Sequence, residues 1–319
     1  MFSDQGKRGM KIIAATRTYN DQYFIETFVR HYLRLGVDEI LVFDSASQDN
    51  TVKIVREIGR KYPQVELSIS SPDLRHTSDT KEAESCNFVL QSAIQRTMAL
   101  SQPVWWIFPD IDEFLENPPS GLHSFFSGFT ENIIRGVFLE WYLDPSKAIK
   151  SVSSKEMLRL ALKGRLKGKQ LLAMEDPFYK DCILKLDPQV ISSPDQIKTT
   201  LGNHRLVING KVTTGKSSSW ALFHHLRGVP FIESQRRIRT RIGLFQAGHD
   251  EKYDAQLYLH FQKLQNQLRD YQNYYSKLLS DSDLRKQAEE CRNFDSEESK
   301  FDRFIEEIYL AREEAYIGN

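Results

Sequence analysis

The sequence is poor in cysteine, has no long apolar run and carries no excess of either charge, and each shortage removes a class of protein. Cysteine occurs three times in 319 residues, at Cys86, Cys182 and Cys291, with no CxxC pair. So sparse and odd a set builds no disulfide framework and fits a reducing compartment, each thiol serving as a small apolar core residue. No segment reaches the ~20 consecutive apolar residues of a membrane-spanning helix. Residues 1–10 lack the apolar stretch of a secretion signal. The expectation is a cytoplasmic protein, with peripheral contact to a membrane surface left open. Lys+Arg and Asp+Glu both total 43, so the basic excess that accompanies bulk nucleic-acid binding is missing. Internal repeats and low-complexity tracts are missing too. What is present is 40% apolar residues, enough to bury a sizeable core.

Those apolar residues alternate between two periods. Lys11–Ala15 is a short apolar run that predicts a buried strand. Phe24, Ile25, Phe28, Val29, Tyr32 and Leu33 then fall on one helical face. Asn20 or Asp21 is placed to cap that helix and Gly36 to end it in a left-handed turn. Glu39–Phe43 predicts a second strand, so the unit is βαβ with a parallel pair. The pattern repeats through a helix at Val52–Arg60, a strand at Val65–Ile69, a helix at Lys81–Leu100 and a strand at Val104–Phe108. Alternation of this length predicts an α/β open parallel sheet with helices on both faces. Beyond Glu116 the rhythm weakens. Gly136–Tyr142, Pro177–Leu186 and Arg205–Val212 read as strands of a mixed-sheet half, and from about Glu233 onward the chain reads as helical and charged. The domain reading is residues 1–230 as the α/β unit and 231–319 as a helical C-terminal extension.

Ligands of such sheets bind beyond the carboxyl ends of the strands. Those ends carry Thr16–Asn20, Asp44–Asp49 and Asp110-Ile111-Asp112. In the last, an apolar strand delivers two carboxylates one residue apart. Hard cations such as Mg2+ or Mn2+ take carboxylate oxygens and share themselves with substrate phosphates. The competing structural reading is that these acids cap a following helix, the role expected of Glu113. For Asp49, turn chemistry and nucleotide contact stand level. His224, after the apolar run Trp220–Phe223, is a further candidate ligand. His224 and His225 are adjacent on a strand, so at most one faces the site. Arg227, Arg236, Arg237, Arg239 and Arg241 form a basic run, one or two of which suit a diphosphate. The remainder read as a solvated face or an anionic-lipid contact.

Taken together, Trp105, Asp110-Ile111-Asp112-Glu113-Phe114-Leu115, the block His31–Ile40 and the loop Phe43–Thr51 resemble the GT-A-fold glycosyltransferases of the family 2 type. The branch concerned carries a Trp-x-x-x-x-Asp-x-Asp-Glu-Phe-Leu signature and also resembles family 92; Trp141 resembles its tryptophan beside the acceptor. The resemblance spans about residues 10–240 and implies a GT-A (Rossmann-like), mostly parallel open sheet flanked by helices. It implies a metal-dependent glycosyltransferase, with Mn2+ or Mg2+, moving a sugar from a nucleotide-sugar donor (a UDP-sugar) to a saccharide, lipid-linked or protein acceptor, with inversion. Carried onto this chain, Thr16, Tyr19 and Asp44 meet the nucleoside, Asp44 accepting from a uracil N–H. Asp112 is the direct metal ligand, Asp110 touches ribose or metal-bound water, His224 completes the metal shell and Arg227 meets the diphosphate. An inverting reaction needs a general base, and Glu140, Asp144, Glu175, Asp176 and Asp181 qualify by position. Two other readings compete. One is a non-catalytic carbohydrate- or partner-binding protein on the same fold. The other is a nucleotidyltransferase, disfavoured because Thr16–Asn20 contains no glycine.

Overall fold

The computed structural model describes residues 10–69, 79–118, 120–142, 154–155, 158, 179–191, 193, 196–200, 205–213, 220–228, 236–240 and 242–244. The first half is the expected alternation: β1 (Lys11–Thr18), α1 (Ile25–Leu35), β2 (Glu39–Asp44), α2 (Thr51–Gly59), β3 (Val65–Ile69), α3 (Asp79–Leu100) and β4 (Val104–Ile107). After it come β5 (Glu113–Leu115), α4 (Leu122–Ser127), β6 (Ile133–Tyr142), β7 (Tyr179–Leu186), β8 (Ile197–Thr199), β9 (Leu206–Ile208), β10 (Lys211–Val212) and β11 (Trp220–Gly228). Among the described residues no helix is long and apolar enough to cross a membrane.

Eight strands form one mixed, mostly parallel sheet in the order β3-β2-β1-β4-β7-β6-β11-β5, flanked by helices, as in a Rossmann-like GT-A fold. β1 pairs parallel with β2 and with β4, and β2 with β3. β7 runs antiparallel to both β4 and β6, so β6 points the same way as β4, and β11 lies parallel to β6. The carboxyl ends of β1, β2, β3, β4, β6 and β11 therefore share one edge of the sheet. Only β7 and β5 oppose them.

The alternation of side chains builds two cores. Ile12, Ala14, Ile40, Val42, Trp105 and Ile107 face α1, α2 and α4, whereas Ile13, Ala15, Leu41, Phe43, Val104 and Trp106 face α3. Residues buried on both faces of a strand explain why these strands read as unbroken apolar runs. Trp106 is buried on the α3 side, where its Nε1–H donates to Thr97 Oγ1 at 2.8 Å. Gly36 ends α1 at φ 85°, and its N–H reaches Leu33 O at 3.2 Å, as the sequence predicts.

Three expectations are corrected. α1 has no side-chain cap: the Asp21 carbonyl accepts from the N–H groups of Phe24 and Ile25 at 3.0 and 3.1 Å, and its carboxylate is used elsewhere. No helix starts at the acidic motif, because Glu113–Leu115 pairs antiparallel with β11 as β5. Residues 205–212 are not one strand of the large sheet. They fold as the β9–β10 hairpin, pairing with β8 in a separate three-stranded sheet. Its turn is Asn209-Gly210, at φ 50° and 76°, the two successive left-handed residues that match strand twist. The helical character of 231–319 lies outside the described residues, except for helical turns within 236–240 and 242–244.

Candidate functional site

Two loops leave the shared edge side by side, because β1 and β2 align with Thr18 opposite Asp44. They are knitted by side-chain-to-backbone hydrogen bonds. The Asn20 N–H donates to Ser47 Oγ at 2.8 Å, Gln48 N–H to Asn20 Oδ1 at 2.7 Å, Gln22 N–H to Asp49 Oδ2 at 3.1 Å and Asp21 N–H to Thr51 Oγ1 at 2.9 Å. Asn20 and Ala46 both take positive φ, 55° and 59°. For alanine that conformation costs roughly 1 kcal/mol, and the surrounding bonds hold it. Asp49 also accepts from the Thr51 N–H at 2.9 Å, so its oxygens build the loop. Asp44 is fully buried and accepts from the Ser47 N–H at 2.9 Å. Burial pushes its carboxyl up against the Ser47 hydrogen bonding, and Asp49 and Asp21 add to the rise. Thr16 is buried within β1, with its hydroxyl 3.3 Å from Arg17 O, and Tyr19 is partly exposed at the edge.

The third contribution comes from β4. Asp110 N–H donates to Glu113 Oε2 at 2.8 Å, and Glu113 N–H to Asp110 O at 3.0 Å, closing a tight turn around Ile111 and Asp112. Helix α1 supports the far side of this turn. Tyr32 Oη donates to Glu113 O at 3.0 Å and His31 Nε2 lies 2.8 Å from Leu115 O. Burial lowers the His31 imidazole to about 4, against the Leu115 carbonyl, so it is neutral at ordinary pH and donates to that carbonyl. Lys180, on β7, bridges the motif: its Nζ donates to Asp110 Oδ2 at 2.7 Å and to Glu113 Oε1. On the other side, Arg237 NH1 stands 2.5 Å from Asp112 Oδ2, and its Nε 3.1 Å from Asp21 Oδ1. Burial favours the neutral form of each aspartate, yet Lys180 and Arg17 hold Asp110 well below the usual carboxylate range, and Arg237 and His225 do so for Asp112. Glu113, the deepest, is pushed up by burial with Asp110 adding to it, and Lys180 opposes both.

The placement of the expected residues follows from strand parity. On β11 it is His225 that faces Asp112, with its Nε2 3.6 Å from Asp112 Oδ2, whereas His224 turns to the opposite side, 3.8 Å from Glu116. Asp112 has 6% of its side chain exposed and Asp110 39%, so the open carboxylate is Asp110 and the enclosed one is the expected direct metal ligand. Asp181 is next to Lys180 and so faces the other way. It accepts from Arg135 Nε at 2.9 Å and from Thr213 Oγ1, tying the small sheet to the large one, away from Asp110. Glu140 lies at the register position of His225 on β6, at the shared edge. The side chains of Glu140, Trp141 and Arg227, and the whole of Asp144, Glu175 and Asp176, lie outside the described residues. Lys180, Arg17, Asp21, His225 and Arg237 are thus the titratable groups brought to the motif that the sequence left unassigned or undecided. The sign for Lys180 was the adjacent pair Lys180-Asp181 ahead of the apolar run Cys182-Ile183-Leu184 in the strand YKDCILKL.

Carboxylate and imidazole are suitable donors for a divalent cation, but among the described residues their arrangement is not that of a metal site. Among the described residues no three His, Cys, Asp or Glu side chains gather as a metal shell, and Asp112 Oδ2 is already bonded by Arg237. As the chain is folded, the cation beside Asp112 is a guanidinium and the cation beside Asp110 is an ammonium.

No protein-family model matches the sequence, and no curated protein matches it. Among solved structures, a mannosyltransferase from Pyrobaculum calidifontis in complex with GDP-Man and Mn2+ aligns over 98% of this chain and 87% of its own. The identity is 13% and the TM-score 0.33. Glucosyl-3-phosphoglycerate synthase from Mycobacterium tuberculosis, in complex with Mn2+, UDP and glucosyl-3-phosphoglycerate, aligns over 56% of this chain at 18% identity and a TM-score of 0.26. The chain spans only 57% of the length of that synthase structure. Likeness at these scores carries no argument about chemistry, which rests on the side chains described above.

Proposed function

We propose that this chain is a glycosyltransferase that takes a nucleoside-diphosphate sugar, a UDP-sugar, at the carboxyl ends of β1, β2 and β4 and passes the sugar to a hydroxyl acceptor. One observation carries the reading: Tyr19–Asp21, Asp44–Asn50 and Asp110–Asp112 converge on a single sheet edge, with Arg17, Lys180 and Arg237 set among the acids. Carboxylates there accept from base N–H and ribose hydroxyl groups, and fixed cations favour the charge that grows on a departing diphosphate. In this reading Asp44 and Tyr19 border the nucleoside and the open carboxylate of Asp110 meets the ribose. Arg227, following on β11, serves the phosphates. Glu140, in register with His225, is the base that takes the acceptor proton in an inverting transfer. Asp181 has no part in it, since both its oxygens serve Arg135, Thr213 and the Leu206 N–H on the other face.

Calorimetry with UDP, GDP and their sugar conjugates tests the binding half of the proposal, and donor turnover tests the catalytic half. Asp110→Asn is expected to lose at least about tenfold in affinity, the equivalent of one charged hydrogen bond. Absence of any nucleoside-diphosphate binding to the wild-type chain would sink the reading. Binding without turnover of any sugar nucleotide, with or without acceptors, would make it a non-catalytic binder instead.

A further inference from the structure

Arg237 is the only described side chain that joins the β1 loop to the β4 motif by ion pairs. Its NH1 is 2.5 Å from Asp112 Oδ2, its Nε is 3.1 Å from Asp21 Oδ1, and its guanidinium lies 5.3 Å from the Phe24 ring centre. Both carboxylates are buried, at 4% and 2% residue exposure. Buried acids require a positive partner, and the imidazole of His225, 3.6 Å from the same Asp112 oxygen, is not by itself a permanent charge. We propose that Arg237 is the resident cation of the Asp21–Asp112 position, and that Arg237 and a divalent metal ion are mutually exclusive occupants of it.

The argument is steric and electrostatic. A small divalent ion sits about 2.0–2.2 Å from carboxylate oxygens. An ion at that distance from Asp112 Oδ2, on the side facing Asp21 where the guanidinium lies, would collide with NH1 and add a second positive centre against the first. Arg237 must leave for such an ion to enter. The segment stays attached when it does, because Arg236 NH2 donates separately to Asn20 O at 2.6 Å and Ile238 is buried. A released guanidinium is a planar fork suited to phosphate oxygens. The inference rests on the transferase reading only for the reason a metal should arrive; the competition itself requires no nucleotide.

The test is Mn2+ binding to the full chain without nucleotide, followed by calorimetry and by the electron-spin signal of free Mn2+. Arg237→Gln is expected to bind Mn2+ about tenfold or more tightly than wild type. Its melting temperature should fall in EDTA and recover with Mn2+, which a merely structural arginine would not produce. Arg239→Gln removes the same charge from an exposed position in the same segment and should match wild type. Equal Mn2+ affinity in wild type and Arg237→Gln overturns the proposal, as does equal tightening in Arg239→Gln, which would reduce the effect to bulk charge. Should Arg237→Gln not fold, Arg237→Lys keeps a charge but cannot span both carboxylates. It too should bind Mn2+ more tightly than wild type, and no change there overturns the proposal. These readouts stand whether or not any sugar nucleotide binds, so failure of the transferase reading is seen separately.

Discussion

Replacing Lys180 by methionine isolates the electrostatics of the β4 turn. The ammonium serves two acids of different depth: Glu113, whose side chain is wholly buried, and Asp110, 39% exposed. Removing one member of a buried pair typically costs about 3–5 kcal/mol because the other is left charged and dry. Water can take over at Asp110, so only Glu113 bears the full loss and the low end applies, about 3 kcal/mol. The loss is pH-dependent. Burial already pushes Glu113 up, with Asp110 adding and Lys180 restraining, and without Lys180 it rises further. A carboxyl whose folded pKa exceeds its unfolded value binds more protons in the native state across that window. Stability therefore falls as pH rises from the ordinary glutamate value toward the folded one. Urea unfolding followed by tryptophan fluorescence, at pH about 5 and about 8, reads both effects, the second pH showing the full loss. The double variant Lys180→Met/Glu113→Gln should recover a large part of it, since both charges are then gone. A loss below about 1 kcal/mol at the higher pH, or an equal loss at both, would refute the reasoning.

Three further outcomes follow from the packing. Gly136→Ala places a methyl 2.6 Å from Cys182 Sγ and 2.9 Å from Phe223 Cε2, so chemical denaturation should show a loss of about 1–3 kcal/mol. Wild-type stability should fall as pH drops from about 6.5 toward about 4, because the native His31 imidazole is held neutral and the unfolded one is not. The acid-side slope should be shallower in a His31→Gln variant, and an unchanged slope would assign the titration to other groups. Thr97→Val strands the Trp106 indole N–H in the α3 core, and thermal or urea unfolding should record a loss of about 1–3 kcal/mol.

The parallel half was legible because its signals are local. Doubly buried strands, the helical face of Phe24 to Leu33 and the glycine at position 36 each declare themselves within a dozen residues, and they place Asp44 and Asp110 on one edge. Asn209-Gly210 was equally local, a hairpin dipeptide absorbed into a single strand in the sequence reading. What could not be read depended on parity or distance. Whether His224 or His225 faces the acids depends on where β11 begins its alternation, and the same one-residue choice separates Lys180 from Asp181. β5 has three residues and takes its identity from pairing with β11, about a hundred positions later. Arg237 belongs to a dense arginine run in which nothing local distinguishes the one residue that spans Asp21 and Asp112.

Six strands deliver their carboxyl ends to one edge, and this divides the sheet into two sides that evolution or engineering can alter separately. On the opposite side, where the strands begin, Glu39 joins Lys11 at 2.5 Å and Arg96 at 3.2 Å, and Asp38 accepts from the Ile12 N–H at 2.7 Å. Changes there reset how well the sheet holds without altering what it meets. Changes beyond Asp44, Asp110 or Tyr142 alter what it meets while leaving the strand register intact. New specificity can be built by replacing loops on one side alone, with the margin of stability raised in advance on the other.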